Sequence, residues 1–390
     1  MAGGAGTNFG IGGLHPEQRR FFMTGVLTDK RWAVLDPAVR PTDPEGYLRT
    51  ALEWHFGADT GSRFWLERAK TLDFDPIRDV RGYEDLTLFP NVVDELRGIP
   101  VEDLIPRGYG PHPPAPKVFE TGGTTGAPKR VILMPDWFES SIDRMLAGPV
   151  FAEREPGNVL IATPTGPHKI GGQYDDVVKK QNTIKFSIDV DPRWVKKLIS
   201  RGEQDQVKSY VDHVLDQIEH VLETQHVGLV VITPPILRAC AGRPRLVELI
   251  NAKVAVVFWG GAHMTADERF ELSRVHFPQV RMVSRYNSAM ILEGAAERTG
   301  TGAGDQVIYD PYTPVVMFRV VDPETGETVD YGRRGQVVMS HVSKGVFLPN
   351  NLERDSAIRV RGPEGQFGDS VADPRPVEKF GGERVIEGIY

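Results

Sequence analysis

Thr121 to Lys129 is the stretch of the chain best suited to chemistry. It reads Thr-Gly-Gly-Thr-Thr-Gly-Ala-Pro-Lys and so combines three glycines, three threonines and one lysine. Glycines let backbone N–H groups approach a ligand closely, threonine hydroxyls add donors, and Lys129 adds a positive charge. These groups together predict a loop that binds a polyphosphate. The alternative is a glycine- and threonine-rich hairpin on the surface.

The residues around this loop predict a strand on each side of it. Apolar Val118-Phe119 precedes the loop, and an apolar run at 131–134 follows it. The loop is not a Walker A motif, because Ala127-Pro128 separates Gly126 from Lys129 and Arg130 stands where that motif needs Ser or Thr.

The nine-residue string resembles the phosphate loop of the adenylate-forming superfamily, which comprises acyl-CoA synthetases, peptide-synthetase adenylation domains and luciferases. The resemblance covers about residues 115–360. It implies an ATP site with Lys129 as a catalytic point charge. The loop residues implied to bind the nucleotide are Thr121, Gly122, Gly123, Thr124, Thr125 and Gly126.

Two further segments match this superfamily in the expected order. Gly260-Gly261-Ala262 is similar to the turn on which the family lays adenine, although a simple strand-to-helix turn is the alternative. Asn351 to Asp355 resembles the Arg-Asp of a later motif, especially in the phenylacetate–CoA ligase branch, where the Asp accepts from both ribose hydroxyls. A carboxylate has two acceptor oxygens, which suits a vicinal diol. A surface ion pair is the alternative for Asp355.

The segment Tyr286-Asn287-Ser288 falls where the family has Tyr-Gly-x-Thr-Glu. In the family, the Thr touches the α-phosphate and the Glu holds magnesium, but Ala289-Met290 stands in their place here. Ser288 is the candidate for the missing hydroxyl. Glu293 is the candidate for the missing magnesium ligand, and a solvated surface glutamate is the alternative.

His168 lies in the loop that matches the family's acid-binding segment. Substrate and ATP are both anionic, so a cation or strong donor has to offset their repulsion. His168 and Lys169 are candidates for this role, and a solvent-exposed loop histidine is the alternative.

Composition narrows the class of protein. The 390 residues are 40% hydrophobic with a net charge of −7, and no long Lys/Arg run favours nucleic acid or a membrane surface. Cys240 is the only cysteine, and no apolar stretch approaches the length of a membrane span. The glycine-rich start lacks the pattern of a secretion signal. A cytoplasmic enzyme is predicted.

The elements that must position these residues alternate between strands and helices. Apolar runs at 159–162, 227–232, 254–258 and 280–283 predict buried strands. Helices are predicted at 192–200, 203–224 and 237–251. This order favours an α/β fold with a parallel sheet flanked by helices, in which ligands bind at the carboxyl ends of the strands. The loops at 163–172, 259–263 and 285–288 are predicted to lie there.

The pattern changes after this region. Strands at 315–321 and 336–342, joined through a turn at 322–326, predict a small antiparallel sheet or barrel. The predicted organisation is a flexible 1–13, an α/β adenylating core at 14–310, and an antiparallel β subdomain with a tail at 311–390.

The resemblance implies a reaction and its partners. Only 35 residues follow Asp355, so the family's mobile C-terminal domain is expected to be absent. Truncated relatives occur beside phenazine and other aryl-acid pathways, where the Gly-Pro-His at 166–168 also fits. The implied function is ATP- and Mg²⁺-dependent conversion of an aryl acid to acyl-AMP, which passes to an acyl reductase or transferase in secondary metabolism. A catalytically weak nucleotide- or acyl-AMP-binding module and a stand-alone aryl-CoA ligase are the alternatives.

Overall fold

A computed structural model of the protein describes residues 30–121, 128–153, 157–291, 293–380 and 383–384. Gly122 to Gly126 of the predicted phosphate loop lie outside these residues, and so does the predicted flexible stretch 1–13. Within the described residues, no helix has both the length and the apolar character needed to cross a bilayer.

Eleven strands form one sheet in the order β10-β11-β12-β13-β9-β8-β7-β6-β5-β3-β4. Two-stranded sheets β1-β2 and β14-β15 stand apart from it. The strands are β1 (Lys117–Glu120), β2 (Arg130–Leu133), β3 (Val159–Ala162), β4 (Lys185–Ser187), β5 (Leu229–Ile232), β6 (Val256–Trp259), β7 (Arg281–Asn287), β8 (Gly294–Glu297), β9 (Ile308–Asp310), β10 (Val316–Val321), β11 (Arg334–Val342), β12 (Phe347–Arg361), β13 (Asp369–Pro376), β14 (Lys379–Phe380) and β15 (Glu383–Arg384).

Helices cover both faces of the sheet. The α-helices are α1 (Pro44–Phe56), α2 (Arg63–Ala69), α3 (Pro76–Asp79), α4 (Pro135–Ala147), α5 (Pro149–Ala152), α6 (Lys169–Gln181), α7 (Pro192–Ser200), α8 (Gln204–Thr224), α9 (Pro234–Ala241), α10 (Pro244–Lys253) and α11 (Ala266–Glu271). Short 3-10 turns span Lys30–Leu35, Tyr83–Leu88, Glu95–Arg97, Val101–Leu104 and Arg107–Tyr109, and a π turn spans Leu272–His276.

The parallel part of the sheet comprises β4, β3, β5, β6 and β7. Every residue of β3, β5 and β6 is buried, because helices cover both faces and the three sequences are continuous apolar runs. The predicted α/β fold with a parallel sheet flanked by helices is therefore confirmed.

Two predicted element boundaries in this region are wrong. The helix expected at 237–251 is two helices, α9 and α10, with a break at Gly242-Arg243. Pro244 has no N–H to donate and disfavours the α conformation at Arg243, so one continuous helix is blocked. The strand expected to end at Val283 continues to Asn287, because β7 gains a second partner, β8, beyond its pairing with β6.

The antiparallel part begins at that pairing of β7 with β8 and continues through β9, β13, β12, β11 and β10. The predicted turn after β10 is confirmed, since Asp322 Oδ1 accepts from the N–H groups of Glu324 (2.9 Å) and Thr325 (3.0 Å). The small antiparallel sheet is thus joined edge to edge with the parallel one through β7. The division into domains at 310 and 311 stays a prediction.

Three side chains of the N-terminal helices bind backbone carbonyls of the β11–β12 hairpin. The Tyr47 hydroxyl donates to Val342 O at 2.9 Å, and the indole N–H of Trp54 donates to Lys344 O at 2.8 Å. Trp65 donates in the same way to Phe347 O at 3.0 Å. All three rings are buried, so these bonds hold the start of β12 against the helical layer. The position of β12 matters because it carries Asp355.

Candidate active site

Three adjoining cavities share two residues, Asn287 and Arg354, which line all of them. Cavity I lies beside the 260–262 turn and Asp355. Cavity II lies between the base of the Thr121–Lys129 loop and Ser288. Cavity III lies between the 163–172 loop and the carboxyl ends of the parallel strands.

The carboxyl ends of three parallel strands open into cavity III. Thr163 follows β3, Thr233 follows β5, and Trp259 ends β6, and all three residues line this cavity. The adjoining turn at 260–262 lines cavity I, as does Tyr286. The prediction that loops 163–172, 259–263 and 285–288 meet at this edge is confirmed.

Cavity I brings Gly260, Gly261 and Ala262 together with Tyr286 and Asp355. Gly261 has φ 85°, a left-handed conformation that favours glycine. A Cβ at Gly260 would approach Arg285 O to 3.3 Å, so a small residue is favoured there as well. The turn therefore presents backbone rather than side chains to the cavity.

The Tyr286 hydroxyl donates to Asp355 Oδ2 at 2.9 Å. Burial, followed by the charge of Asp355, raises the pKa of Tyr286 well above its usual value, so the phenol stays a donor. The ring packs edge-on against Phe318, which holds the hydroxyl in place. A buried tyrosine binds Asp355 Oδ2, so the structure does not support a surface ion pair at this oxygen.

The base of the Thr121–Lys129 loop is closed by two hydrogen bonds. Thr121 N donates to Lys129 O at 3.0 Å, and Lys129 N donates to Thr121 Oγ1 at 3.0 Å. Strands β1 and β2 pair antiparallel just below, with Glu120 opposite Arg130. The predicted strands on either side of the loop are confirmed, whereas the loop residues between them lie outside the described ranges.

Lys129 lines cavity II, and its Nζ lies 3.1 Å from Asp94 Oδ1. The lysine side chain is 15% exposed and that of Asp94 is 78% exposed. The bond to Lys129 lowers the pKa of Asp94. Because the aspartate is largely solvated, a phosphate can replace it at little cost.

Glu353 is a carboxylate of cavity II that sequence reasoning missed. The Ser288 hydroxyl donates to its Oε1, and Asn351 Nδ2 donates to the same oxygen at 2.7 Å. Burial, followed by the charge of Asp355, raises the pKa of Glu353. Glu353 lies two residues before Asp355 in the segment that resembles the family's later motif, so its place in that motif was the signal that could have revealed it.

Glu293 is placed differently from either expectation. It is 4% exposed, so the solvated alternative is wrong. Its Oε2 lies 3.0 Å from Arg144 Nη2, and the Arg144 guanidinium stacks on the rings of Trp137 and Tyr312. Glu293 does not line cavity II. Its magnesium assignment stays a prediction, and it would require the carboxylate to leave Arg144.

Met290 is 5% exposed and packs in the core beside cavity II. Nothing at this position supplies the hard oxygen ligand that the resemblance implies. In the described ranges, no three His, Cys, Asp or Glu side chains are grouped so as to hold a metal ion.

Cavity III has apolar walls formed by Met145, Pro164, Tyr174, Phe258 and Trp259. His168 lines it at the N-cap of α6 and is partly buried, so it is not simply a solvent-exposed loop histidine. Burial, followed by the charge of Arg193, lowers the pKa of His168. The imidazole is therefore neutral at pH 7 and acts through hydrogen bonds rather than charge.

Arg193, on α7, lies near His168 and binds the base of the Thr121–Lys129 loop. Its Nη2 donates to Glu120 Oε2 at 2.7 Å and to Thr121 O at 3.2 Å. Arg130 binds the other oxygen of Glu120 at 3.1 Å. Sequence reasoning missed Arg193, because nothing local distinguishes it from a surface arginine in the first turn of a helix.

Lys169 begins α6 and lines cavity III beside His168. Burial lowers the pKa of Lys169 to about 8, and the charged groups around it are Glu293, Arg285 and Arg144. The lysine is thus still predominantly protonated at pH 7.

Comparison with known proteins shows the fold. The chain matches no protein-family model and no curated protein. The solved 2-hydroxyisobutyryl-CoA ligase, in complex with 2-HIB-AMP and CoA, superposes with a TM-score of 0.60 at 14% identity, covering 85% of this chain and 67% of that one.

Two other solved structures match less well. ATP-bound MatB from Rhodopseudomonas palustris matches at 19% identity, with a TM-score of 0.46, over 65% of this chain and 46% of that one. The luciferase-like enzyme from the nonluminescent mealworm Zophobas morio matches at 13% identity, with a TM-score of 0.44, over 66% of this chain and 56% of that one. The chain therefore spans between about half and two thirds of the length of these proteins.

Proposed function

We propose that the protein adenylates an aryl carboxylic acid. A carboxylate oxygen of the acid attacks the α-phosphorus of ATP, the bond from that phosphorus to the bridging oxygen of the β-phosphate breaks, and acyl-AMP and pyrophosphate form. The observation that carries this proposal is the meeting of cavities I, II and III at Asn287 and Arg354. Nucleoside, phosphates and acid would each occupy one cavity, with the reacting atoms at the junction.

Cavity I suits the nucleoside. A flat base would lie against the backbone of Gly260, Gly261 and Ala262, and the ribose hydroxyls would donate to Asp355. Tyr286 already donates to one oxygen of that carboxylate and fixes its orientation. Ribose would thus meet an acceptor that needs little rearrangement.

Cavity II suits the phosphates. Lys129 would exchange Asp94 for a phosphate oxygen, and the residues Thr121 to Gly126 would supply donors from the loop. Ser288 would stand in for the family's threonine, although its hydroxyl now bonds to Glu353.

Magnesium would enter cavity II with ATP. A Mg²⁺ ion that is shared with phosphates needs only one or two protein carboxylates. Glu353 is better placed for this than Glu293, because it lines cavity II beside Asp355, whereas Glu293 bonds to Arg144. The ion would neutralise phosphate charge there.

Cavity III suits the acid. Its walls are mainly apolar and include Tyr174, Phe258 and Trp259, which favours an aromatic ring. The reacting carboxylate would face His168, whose surroundings include Arg193 and Glu120 at the base of the phosphate loop. The protein would act by positioning and electrostatics rather than by covalent catalysis.

The acyl-AMP would leave the site by transfer of its acyl group to a second protein or to CoA. The likeness to phenazine-associated adenylating proteins supports transfer to an acyl reductase or transferase in secondary metabolism. Transfer to CoA is the alternative, and it would make the chain an aryl-CoA ligase.

A second candidate function is a nucleotide- or acyl-AMP-binding module with little turnover. The buried, apolar Met290 favours it, since it stands where the resemblance implies a magnesium carboxylate. Such a module would keep cavities I and II but would lack efficient chemistry.

The deciding experiment is ATP–pyrophosphate exchange with a panel of aryl acids, with and without CoA. Acid-dependent exchange supports adenylation. Binding of ATP or a non-hydrolysable acyl-AMP analogue without exchange supports the binding module. Release of a CoA thioester by the chain alone supports the ligase.

A further inference from the structure

His168 and Lys169 are neighbours in sequence, but different charged groups surround them. Those around His168 are Arg193, Glu120, Asp191 and Lys196, which lie toward α7 and the base of the phosphate loop. Those around Lys169 are Glu293, Arg285 and Arg144. The two side chains therefore meet different charged groups, although both line cavity III.

The surroundings of Lys169 carry an excess of positive charge. Glu293 is the one carboxylate among the charged groups described around Lys169, and it already binds Arg144 at 3.0 Å. Lys169 and Arg285 both line the cavity, and no carboxylate of the described residues lies within ion-pair distance of either. Two cations thus line cavity III without an anion of their own.

Two buried donors border the same cavity. Thr163 is 2% exposed and Trp259 is 3% exposed. In the part of the chain that the structure describes, neither the Thr163 hydroxyl nor the Trp259 indole N–H has a hydrogen-bond partner. Both atoms lie behind the wall of the cavity, so Lys169 and Arg285 are the groups that an anionic ligand would meet.

We propose that the acid is an aromatic dicarboxylate, whose reacting carboxylate faces His168 and whose second carboxylate binds Lys169 and Arg285 in cavity III. This inference rests on the proposed function and names its substrate class. An acid with a second anion would satisfy the cations, and its ring would pack between Phe258 and Tyr174. Keeping Lys169 charged in a buried place is unfavourable, and a bound anion offsets that cost.

The test compares matched acids by pyrophosphate exchange and by direct binding. The probes are the three benzene dicarboxylates, each paired with its neutral monoamide, and benzoate. We expect at least one dicarboxylate to exceed its monoamide by about tenfold or more in kcat/KM and in affinity, because a charge-assisted pair is lost in the amide.

Variants of α6 assign that preference to a residue. Lys169→Met should reduce the ratio of dicarboxylate to monoamide to about one, whereas Lys169→Arg should retain most of it. The control is Lys179→Met, a change on the same helix at a side chain that is 75% exposed. It should leave the ratio as it is in the parent protein. Should Lys169→Met fail to fold, as judged by circular dichroism and Tm, Arg285→Met carries the same test.

The outcomes separate this inference from the proposed function. Equal use of dicarboxylates, monoamides and benzoate overturns the inference and leaves adenylation standing. If Lys169→Met lowers kcat/KM equally for all of the acids, the inference is also overturned and adenylation still stands. That result would mean that Lys169 binds the reacting carboxylate. Lys169-dependent binding of a dicarboxylate without exchange supports the inference and rejects adenylation. A dicarboxylate that neither binds nor exchanges overturns the inference.

Discussion

The hydroxyl of Tyr286 donates to Asp355 Oδ2 at 2.9 Å across 69 positions of sequence. Tyr286 lies on β7, the last strand of the parallel part of the sheet, and Asp355 lies on β12 in the antiparallel part. One bond therefore connects the two parts at the place where we propose that ribose binds.

Tyr286→Phe should weaken binding of ATP and AMP without unfolding the protein. The change removes one hydrogen bond that orients Asp355, and a bond to a charged group contributes about 1.5–3 kcal/mol. Calorimetric titration with AMP would measure the loss. The matched control is Tyr331→Phe, which removes an exposed hydroxyl bond to Asp369 (2.8 Å), and neither of these residues lines cavity I. Equal weakening by both changes would contradict the role of Tyr286.

Asp355→Ala should lower affinity for ATP and AMP, but less for pyrophosphate alone. Losing hydrogen bonds to a charged partner costs about 1.5–3 kcal/mol. The measurement is the set of three dissociation constants. If all three ligands lose affinity alike, the carboxylate has a structural role and the ribose assignment is wrong.

Lys129→Ala should weaken ATP binding, whereas Asp94→Asn should leave it unchanged or tighten it. Asp94 is the exposed anion that now binds the lysine, and exposed pairs contribute only about 0–1 kcal/mol to stability. Dissociation constants for ATP would be compared at low and high salt. An unchanged ATP affinity in Lys129→Ala, with circular dichroism intact, would reject the phosphate-loop assignment.

Glu353→Gln and Glu293→Gln should have different effects. Glu353→Gln should raise the Mg²⁺ concentration needed for half-maximal exchange, because it removes one of the carboxylates that line cavity II, and Asp355 is assigned to ribose. Glu293→Gln should instead lower the free energy of unfolding by about 3 kcal/mol, since it leaves Arg144 without its buried partner. Urea unfolding and magnesium titration of both variants would decide. The reverse pattern would restore Glu293 as the metal ligand.

The affinity for an aromatic dicarboxylate should fall as the pH rises through about 8, the pKa to which burial lowers Lys169. Below that pH the lysine is protonated and attracts the second carboxylate, and above it the charge is lost. The charged groups that surround Lys169 are Glu293, Arg285 and Arg144. Titrations from about pH 7 to about pH 9 would show the decline for the dicarboxylate but not for its monoamide. A flat profile for the dicarboxylate would contradict the role of Lys169.

Much of the scaffold was predictable from local pattern. Continuous apolar runs identified β3, β5 and β6, because strands covered on both faces need no polar side. The three-four spacing of apolar residues identified α8 to within one residue of its start. Glycine-rich turns after β3 and β6 located the edge of the sheet where the cavities lie. These features depend on a residue and its near neighbours, so the sequence by itself determined them.

The partners of the charged side chains were decided by the tertiary structure. Arg144 meets Glu293 across 149 positions, and Ser288 meets Glu353 across 65. His168 and Lys169 are adjacent in the chain, yet different charged groups surround them. The strand order, and the continuation of β7 into its pairing with β8, set which side chains meet. Periodicity records how buried a residue is, but an ion pair depends on the distance between two groups, and only the folded chain fixes that distance.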